Sequence, residues 1–288
     1  MNIIDFIYRV IPHHWFRKIS KTYYKTLKKY RTSLTEEQFK QLLTNELEIK
    51  SGDVLFIHSA MSKLNINFSP VRLLEILLEM VGDEGTLLFP CWHYLGRAEA
   101  YLRNPNNIFD VDHSPTTLGF LNELARKHPQ AERSMHPTVA ICAIGKHAKE
   151  LIETHHLDIY PCGHLSPWYK MLQYPHAKII GLGEKVVSLS FVHCVEDVLK
   201  EVFPVQTLSK ETLGGVVKKG DKMLKTATLY PEQNIQKRDV VAFFNKNISS
   251  ETGKMFRYRG MNFFSFRATP LFEELSSLAR RGKTIYSF

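Results

Sequence analysis

One short segment of the chain places a histidine and an acid at a spacing suited to proton transfer. It spans 190–196 and reads Ser-Phe-Val-His-Cys-Val-Glu, after an apolar stretch at 178–182. The pattern predicts a helix that runs to about Val202. Residues three apart share a helix face, so His193 and Glu196 can point into one cleft. Because imidazole titrates near neutral pH, the pair predicts a general base oriented or charged by a carboxylate.

Two other interpretations of this segment stay open from these residues alone. His193 and Glu196 would also suit a histidine at a helix start beside a surface glutamate. Cys194 offers a nucleophile next to the histidine, but adjacent helical residues point about 100° apart. A Cys–His dyad is therefore disfavoured, and the choice between a base and a surface pair depends on the rest of the chain.

The surrounding pattern of strands and helices predicts the fold that must position this pair. Apolar runs typical of buried parallel strands occur at 53–58, 85–90, 139–144 and 178–182. Helices are predicted between them, at about 36–47, 70–81, 116–127 and 147–154. The expected fold class is α/β, with a mixed, largely parallel sheet sandwiched by helices. In such sheets, functional groups collect at the carboxyl ends of the strands.

Charge and composition divide the chain into three predicted parts. Residues 1–32 are predicted to be a basic amphipathic helical segment, since 1–31 hold eight basic residues and one acid. Residues 33–206 are predicted to form the catalytic α/β core, with an excess of acids. Residues 207–288 are predicted to form a C-terminal α+β subdomain fused to the core, with fifteen basic residues and seven acids. A hairpin at 216–223 and helices at 231–245 and 269–280 are expected there.

Composition also limits the partners and the location of the protein. The uneven charge argues against a nucleic-acid-binding surface, and no zinc-finger, RNP or basic-zipper pattern occurs. No apolar run reaches the ~18 residues of a membrane span. The four cysteines show no CxxC spacing, which favours reduced thiols and a cytoplasmic location. Residues 1–31 could dock on the core or on a partner subunit of a homo-oligomer, and this is favoured over peripheral contact with an anionic membrane.

Several short motifs occur in a fixed order at predicted strand ends and helix starts. They are HSAMSKL at 58–64, GTLLFP at 85–90, Phe109-Asp110 followed by SPTTLG at 114–119, RSMHP at 133–137, GHLSP at 163–167, and His193 with Glu196. Together, over roughly 35–206, they resemble the aminoglycoside 3-N-acetyltransferase family, part of an antibiotic N-acetyltransferase superfamily that includes nucleotide-sugar N-acyltransferases. The resemblance implies an N-acetyltransferase that uses acetyl-CoA or another acyl-CoA as co-substrate, without a metal.

The resemblance also assigns expected roles to individual residues. His193 matches the base that acts on the acceptor amine, and Glu196 matches the acid that supports it. The residues expected to lie against CoA are His58, Ser59, Ser62, Arg133, Ser134 and His136. Phe109 and Asp110 are expected on the acceptor side. Ala140 stands where the family usually has Ser, and Ser190-Phe191 stand where it usually has Thr. These departures bear on the shape of the acceptor pocket more than on the acyl chemistry.

Two acceptors fit the resemblance. The basic C-terminal part, with Arg257, Arg259 and Arg267 among aromatic residues, suits an anionic acceptor because arginine forks onto phosphates. We therefore favour a nucleotide-linked amino sugar of surface polysaccharide biosynthesis. The alternative is an aminoglycoside, whose modification confers antibiotic resistance, and the acidic core suits such a polycation.

Two hypotheses place the function of the chain outside this family. A metal-dependent hydrolase is suggested by thirteen histidines, but no HExxH, HxH or CxxC spacing supports it. A non-enzymatic binding module driven by residues 1–31 is the other. A degenerate, inactive member of the family is a further alternative, and the intact His193 and Glu196 argue against it.

Overall fold

The computed structural model describes residues 32–232 and 238–286. Nearly all of the predicted segment 1–32 lies outside these ranges. The strands are β1 (Val54–Ser59), β2 (Thr86–Pro90), β3 (Ile108–Asp110), β4 (Glu132–Arg133), β5 (Ile141–Gly145), β6 (Ala177–Leu182), β7 (Leu213–Lys219), β8 (Lys222–Thr228), β9 (Gly253–Tyr258) and β10 (Met261–Arg267). The helices are α1 (Glu36–Asn45), α2 (Pro70–Val81), α3 (Ala98–Arg103), α4 (Phe120–Arg126), α5 (Ala148–Ile152), α6 (Pro167–Lys170), α7 (Val192–Leu199), α8 (Val240–Asn247) and α9 (Ala268–Arg280).

The main sheet has the strand order β4-β5-β2-β1-β6-β10-β9. β1 is parallel to both β2 and β6, whereas the outer strands pair antiparallel. The predicted mixed α/β class is confirmed, and parallel pairing is concentrated in the three central strands. Their carboxyl ends lie at one edge of the sheet, which we call the carboxyl edge.

Helices cover both faces of this sheet, as predicted. Alternate strand residues point to opposite faces, so Leu55 and Ile57 pack with α1 and α2, whereas Val54 and Phe56 pack with the helices from α5 onward. The first helices begin where the sequence indicates. Thr35 and Gln38 form a reciprocal capping box at α1, and Ser69 caps α2 with Pro70 at its first position.

The segment after 207 mixes strands and helices, as predicted. β7 and β8 form the expected hairpin, which joins β3 in a separate three-stranded sheet. β9 and β10 instead extend the main sheet, because β10 pairs antiparallel with β6. Two of the strands after 207 thus belong to the small sheet and two to the main sheet. The subdomain boundary at 207 stays a prediction.

Two helix starts differ from the predictions. The helix expected from 116 begins at Phe120, because Gly119 has a φ of +118° and the hydroxyl of Thr116 donates to the carbonyl of Trp92. The helix expected from 231 begins at Val240, where the Asp239 side chain caps it. Pro231 instead forms an isolated bridge with Leu208. No helix in the described ranges is long and apolar enough to cross a membrane, and the cytoplasmic location stays a prediction.

Candidate active site

The carboxyl edge is held together by side chains that bridge neighbouring strands. The Ser59 hydroxyl at the end of β1 donates to the Asn122 side-chain oxygen over 3.3 Å. The Asn122 amide in turn donates to the carbonyl of Pro90, at the end of β2, over 2.6 Å. α4 therefore ties together the ends of two of the central strands, which makes this edge a rigid support.

The His193–Glu196 pair forms at this edge as the sequence predicts. α7 follows β6 and begins close to His193, whose backbone N–H donates to the carbonyl of Ser190 over 3.0 Å. Its apolar face, with Val195 and Leu199, is buried in the core. His193 Nδ1 lies 2.8 Å from Glu196 Oε2. The histidine side chain is 35% exposed and that of the glutamate only 3%, so a buried carboxylate holds a half-exposed ring.

Sequence reasoning missed a third member of this arrangement. The hydroxyl of Tyr286, near the end of the chain, donates to Glu196 Oε1 over 2.9 Å. Each carboxylate oxygen of Glu196 therefore has a partner, one from α7 and one from the C-terminal segment. No local spacing could reveal this contact, because the two residues lie ninety positions apart.

The surroundings of His193 set the pKa of its ring. Burial favours the neutral imidazole, but the charge of Glu196 and its hydrogen bond outweigh burial and raise the pKa of His193 above its ordinary value. Asp197 acts in the same direction, whereas Arg238 opposes it. Burial also raises the pKa of Asp197 to about 7, although the N–H of Cys162 donates to that carboxylate over 2.7 Å. The ring is therefore a stronger base than an isolated imidazole.

His58 lies at the same edge but in a closed environment. Its ring is buried between Phe56 and Phe264, and Nε2 lies 3.4 Å from the Ser190 hydroxyl. Trp168 Nε1 donates to the same hydroxyl over 3.0 Å. Burial lowers the pKa of His58 to about 3, so the ring is neutral. Of the three residues predicted in the turn after β1, Ser62 is exposed and Ser59 is half-buried.

Arg133 lies on edge strand β4 with its guanidinium turned into the protein. It donates to the carbonyls of Val111, Ser114 and Cys91 at 3.2, 2.5 and 2.6 Å. The guanidinium also lies 4.6 Å from the centre of the Phe109 ring. Arg133 thus joins the segments that follow β2 and β3, and these contacts occupy two of its three guanidinium nitrogens.

Ser134 and His136 are equally enclosed. The Ser134 hydroxyl accepts from the N–H of Ile141 and lies 2.9 Å from His155 Nδ1. His136 Nδ1 accepts from the N–H groups of Thr138 and Val139, and its ring stacks on that of His155 at 4.6 Å. The structure therefore gives these side chains partners inside the protein, and their contact with CoA stays a prediction.

The two residues expected on the acceptor side differ in exposure. Phe109 is fully buried and stacks on His93 with ring centres 4.1 Å apart. The Asp110 side chain is 22% exposed and lies 3.2 Å from the Lys218 ammonium. Burial raises the pKa of Asp110, but hydrogen bonds from His113 and Lys218 outweigh it and lower the pKa to about 2. Asp110 is therefore a carboxylate that already holds a cation.

A cavity of about 320 Å³ opens beside β4 and is lined in part by Arg133, Ser134, Lys149 and Lys219. Its lining includes neither His193 nor Glu196. Within 32–232 and 238–286, no group of three or more His, Cys, Asp or Glu side chains is arranged to hold a metal ion. The arrangement that suits catalysis is the imidazole–carboxylate pair at the carboxyl edge.

A mixed α/β sheet with a carboxylate-bound imidazole at its carboxyl edge is suited to an enzyme that removes a proton from its acceptor. Comparison with known proteins defines that class further. Residues 56–278 match the family model described as aminoglycoside 3-N-acetyltransferase. The match spans most of the chain, so the chain belongs to this family. The predicted enzyme class, an N-acetyltransferase, is confirmed.

Curated relatives resemble the chain over part of their length. The SPbeta prophage-derived aminoglycoside N(3')-acetyltransferase-like protein YokD of Bacillus subtilis is 28% identical over 189 residues, which are 59% of this chain and 69% of the relative. Aminoglycoside N(3)-acetyltransferase IX of Micromonospora chalcea is 27% identical over 168 residues, 52% of this chain and 58% of that protein. The chain thus spans little more than half the length of the second relative.

Solved structures support the fold over nearly the whole chain. The aminoglycoside acetyltransferase AAC(3)-Xa superposes with a TM-score of 0.75 at 20% identity, covering 92% of this chain and 98% of that one. AAC-IIIb, solved as a binary complex with CoASH, has a TM-score of 0.72 at 18% identity, covering 89% and 100%. At these identities the likeness shows the fold.

Proposed function

We propose that the protein transfers an acetyl group from acetyl-CoA to an amine of an aminoglycoside, with His193 as the general base. The observation that carries this proposal is the half-exposed His193 ring held by the buried Glu196 carboxylate at 2.8 Å. Glu196 engages Nδ1, which makes Nε2 the nitrogen that faces a substrate proton. Family membership supplies the acyl chemistry, and AAC-IIIb, described as a complex with CoASH, supports CoA as the carrier.

The proposed step is a direct transfer between the two substrates. An amine is mostly protonated near neutral pH, so Nε2 of His193 must take its proton before it can attack. The nitrogen lone pair then forms a bond to the acetyl carbonyl carbon while the carbon–sulfur bond breaks. The electron pair leaves with the CoA sulfur, and the nitrogen loses a second proton as the amide forms. Of these two protons, His193 passes the first to solvent and the second to the CoA thiolate. Glu196 stabilises the imidazolium in between.

An acyl-enzyme through Cys194 has no support in the geometry. Cys194 is fully buried, and burial raises the pKa of its thiol well above the ordinary value. A nucleophilic cysteine needs the thiolate and access to the substrate. Direct transfer in a complex of both substrates is therefore the mechanism we propose.

The comparisons favour the aminoglycoside over the nucleotide-linked amino sugar as acceptor. The relatives with an assigned substrate are named as aminoglycoside N(3)-acetyltransferases. The basic residues that suggested a nucleotide are also separated. Arg257 lies near the end of β9 and Arg259 in the turn to β10, while Arg267 ends β10 and donates to the carbonyl of Glu251. A seven-residue strand spans roughly 20 Å, too far for one diphosphate.

We infer the CoA and acceptor contacts at Ser62, which is exposed, and at Asp110, which is half-buried. Ser62, in the turn after β1, is proposed to lie against CoA. Asp110 is proposed to bind an acceptor ammonium in exchange for the Lys218 ammonium, 3.2 Å away. This exchange keeps the carboxylate paired, so binding leaves no buried charge without a partner.

Thiol release from acetyl-CoA tests the proposal directly. We expect release with kanamycin-type aminoglycosides, and mass spectrometry should find one acetyl group on the antibiotic. dTDP-, UDP- and GDP-linked amino sugars should give no release. His193→Ala should lower the rate roughly 10²–10⁴-fold, whereas His176→Ala, an exposed histidine before β6, should retain it. Turnover of only the nucleotide sugars, or full activity of His193→Ala, would overturn the assignment.

A further inference from the structure

Tyr286 lies beyond the part of the chain that the family match covers, which ends at residue 278. Its hydroxyl nevertheless donates to Glu196 Oε1 over 2.9 Å, on the carboxylate that holds His193. We propose that Tyr286 is a positioning residue for the acetyl transfer, which acts on His193 through Glu196. The inference rests on the proposed role of His193 as the base.

The C-terminal segment holds the Tyr286 ring in place independently of Glu196. The N–H of Asp239, at the start of α8, donates to the carbonyl of Ile285 over 3.2 Å. Thr284, Ile285 and Tyr286 are all buried. The Tyr286 ring meets that of Phe203 edge to face, with centres 6.5 Å apart. The hydroxyl is therefore presented to Glu196 by a fixed scaffold, which is what orientation of a carboxylate requires.

The hydrogen bond has two consequences for the pair. It fixes the carboxylate plane, so that Oε2 stays directed at His193 Nδ1, 2.8 Å away. It also withdraws negative charge from Oε1, since a donor on a carboxylate stabilises its anionic form. Tyr286 thus limits how far Glu196 strengthens His193 as a base. A general base acts best with a pKa near the working pH.

The charged groups around His193 come from two segments, α7 and the residues just before α8. Glu196 and Asp197 lie on α7 itself and favour the imidazolium. Arg238, just before α8, opposes it. Burial and the charge of Glu196 raise the pKa of Tyr286, and Arg238 opposes that shift as well. Removal of the Tyr286 hydroxyl keeps the charges on α7, strengthens the pull of Glu196 and removes the hydrogen bond between that hydroxyl and Arg238. The pKa of His193 should therefore rise further in Tyr286→Phe.

Tyr286→Phe separates positioning from packing, because it keeps the buried ring and its contact with Phe203. We expect kcat to fall roughly tenfold. This is the lower end of the roughly 10–100-fold loss seen when a residue that orients a functional side chain is removed. KM for both substrates should stay within about twofold, since Tyr286 touches neither. The acid limb of the pH–kcat/KM profile should move to higher pH. Unchanged kcat with an unchanged profile would overturn the inference.

The chain offers a matched control. Tyr230 is also buried, at 7% exposure against 5% for Tyr286, and its hydroxyl donates to a carboxylate, Glu211, over the same 2.9 Å. Tyr230→Phe should lower the thermal midpoint no more than Tyr286→Phe does, because Glu211 is exposed whereas Glu196 is buried, and it should retain wild-type kcat. An equal loss of kcat in both variants would mean that Tyr286→Phe acts through the stability of the protein, and this would contradict the inference.

A double-mutant cycle tests the route through Glu196. If Tyr286 acts only through that side chain, Tyr286→Phe in the Glu196→Ala background, which has no acceptor for the hydroxyl, should cause no further loss of kcat. Additive losses would overturn the inference. NMR titration of the His193 ring supplies a readout that needs no turnover. If wild-type protein acetylates no aminoglycoside, the proposed function fails, whereas a higher His193 pKa in Tyr286→Phe still supports the coupling and an unchanged one contradicts it.

Discussion

Two regions of the molecule contain histidines within recognisable motifs, yet they differ in every physical respect. At 193–196 a half-exposed ring is bonded to a buried carboxylate. At 133–136 the arginine, serine and histidine are buried and bonded to backbone groups and to His155. A side chain whose hydrogen bonds run mainly to groups inside the protein supports structure, whereas a half-exposed ring with a charged partner is available for chemistry. Motif membership alone does not distinguish them.

Of the variants that test this comparison, Arg133→Met should have the largest effect on the free energy of unfolding. The variant leaves the carbonyls of Val111, Ser114 and Cys91 without the guanidinium that they accept from. We expect the free energy of unfolding to fall by about 3 kcal/mol, as for breaking a buried charged hydrogen-bond set. Urea titration measures this loss.

Arg257→Met is the control. Arg257 is exposed, and within 32–232 and 238–286 its one side-chain hydrogen bond goes to the carbonyl of Gly260. Its effect should stay within about 0.5 kcal/mol. If Arg133 instead holds CoA, the Arg133→Met protein would keep wild-type stability and show a higher KM for acetyl-CoA. That result would place both regions in the active site.

The sequence predicts the half-exposed pair better than the enclosed segment, for a physical reason. The spacing of His193 and Glu196 is local and follows from helix geometry, which the apolar pattern of α7 already indicates. The environment of Arg133 depends on carbonyls that follow β2 and β3, twenty to forty residues away. β3 and β4 are too short, at three and two residues, to show a strand period.

Tyr286 shows the same limit in the active site itself. Its partner lies ninety residues earlier, and an aromatic residue near a chain end matches no catalytic spacing. The alternation of apolar runs nevertheless predicts the central strands, because buried parallel strands depend mainly on their own composition. Local periodicity thus accounts for the scaffold and for one pair, while contacts between distant segments need the structure.

Acidification should affect the free energy of unfolding in opposite directions through the histidines of the two regions. Burial lowers the pKa of His155 to about 3, so below pH ~6.5 the unfolded chain binds a proton that the folded one excludes. Stability should therefore fall by about 2 kcal/mol per such histidine between pH 6.5 and 5. His155 faces His136 and the Ser134 hydroxyl, and the pKa of His136 is lowered by the same burial.

The pKa of His193 is raised, so its contribution to stability is present below pH ~6.5 and is lost as pH rises through the folded pKa. Urea unfolding at about pH 7 and about pH 5 measures the balance. His155→Gln should reduce the loss on acidification, and His193→Gln should increase it. The same change of slope in both variants would contradict the difference between the regions.

Ser62→Ala is expected to have the smallest effect and tests whether the exposed turn after β1 is a CoA contact, as the family resemblance implies. Ser62 is exposed, so the variant should change the free energy of unfolding by less than about 0.5 kcal/mol. Loss of one hydrogen bond to CoA corresponds to roughly a threefold to tenfold higher KM for acetyl-CoA, with KM for the acceptor unchanged. Ser250→Ala, an exposed serine before β9 at the opposite end of the sheet, should leave both constants at their wild-type values. An unchanged KM for acetyl-CoA in Ser62→Ala would show that the Ser62 hydroxyl does not contact CoA. CoA would then have to bind through other groups.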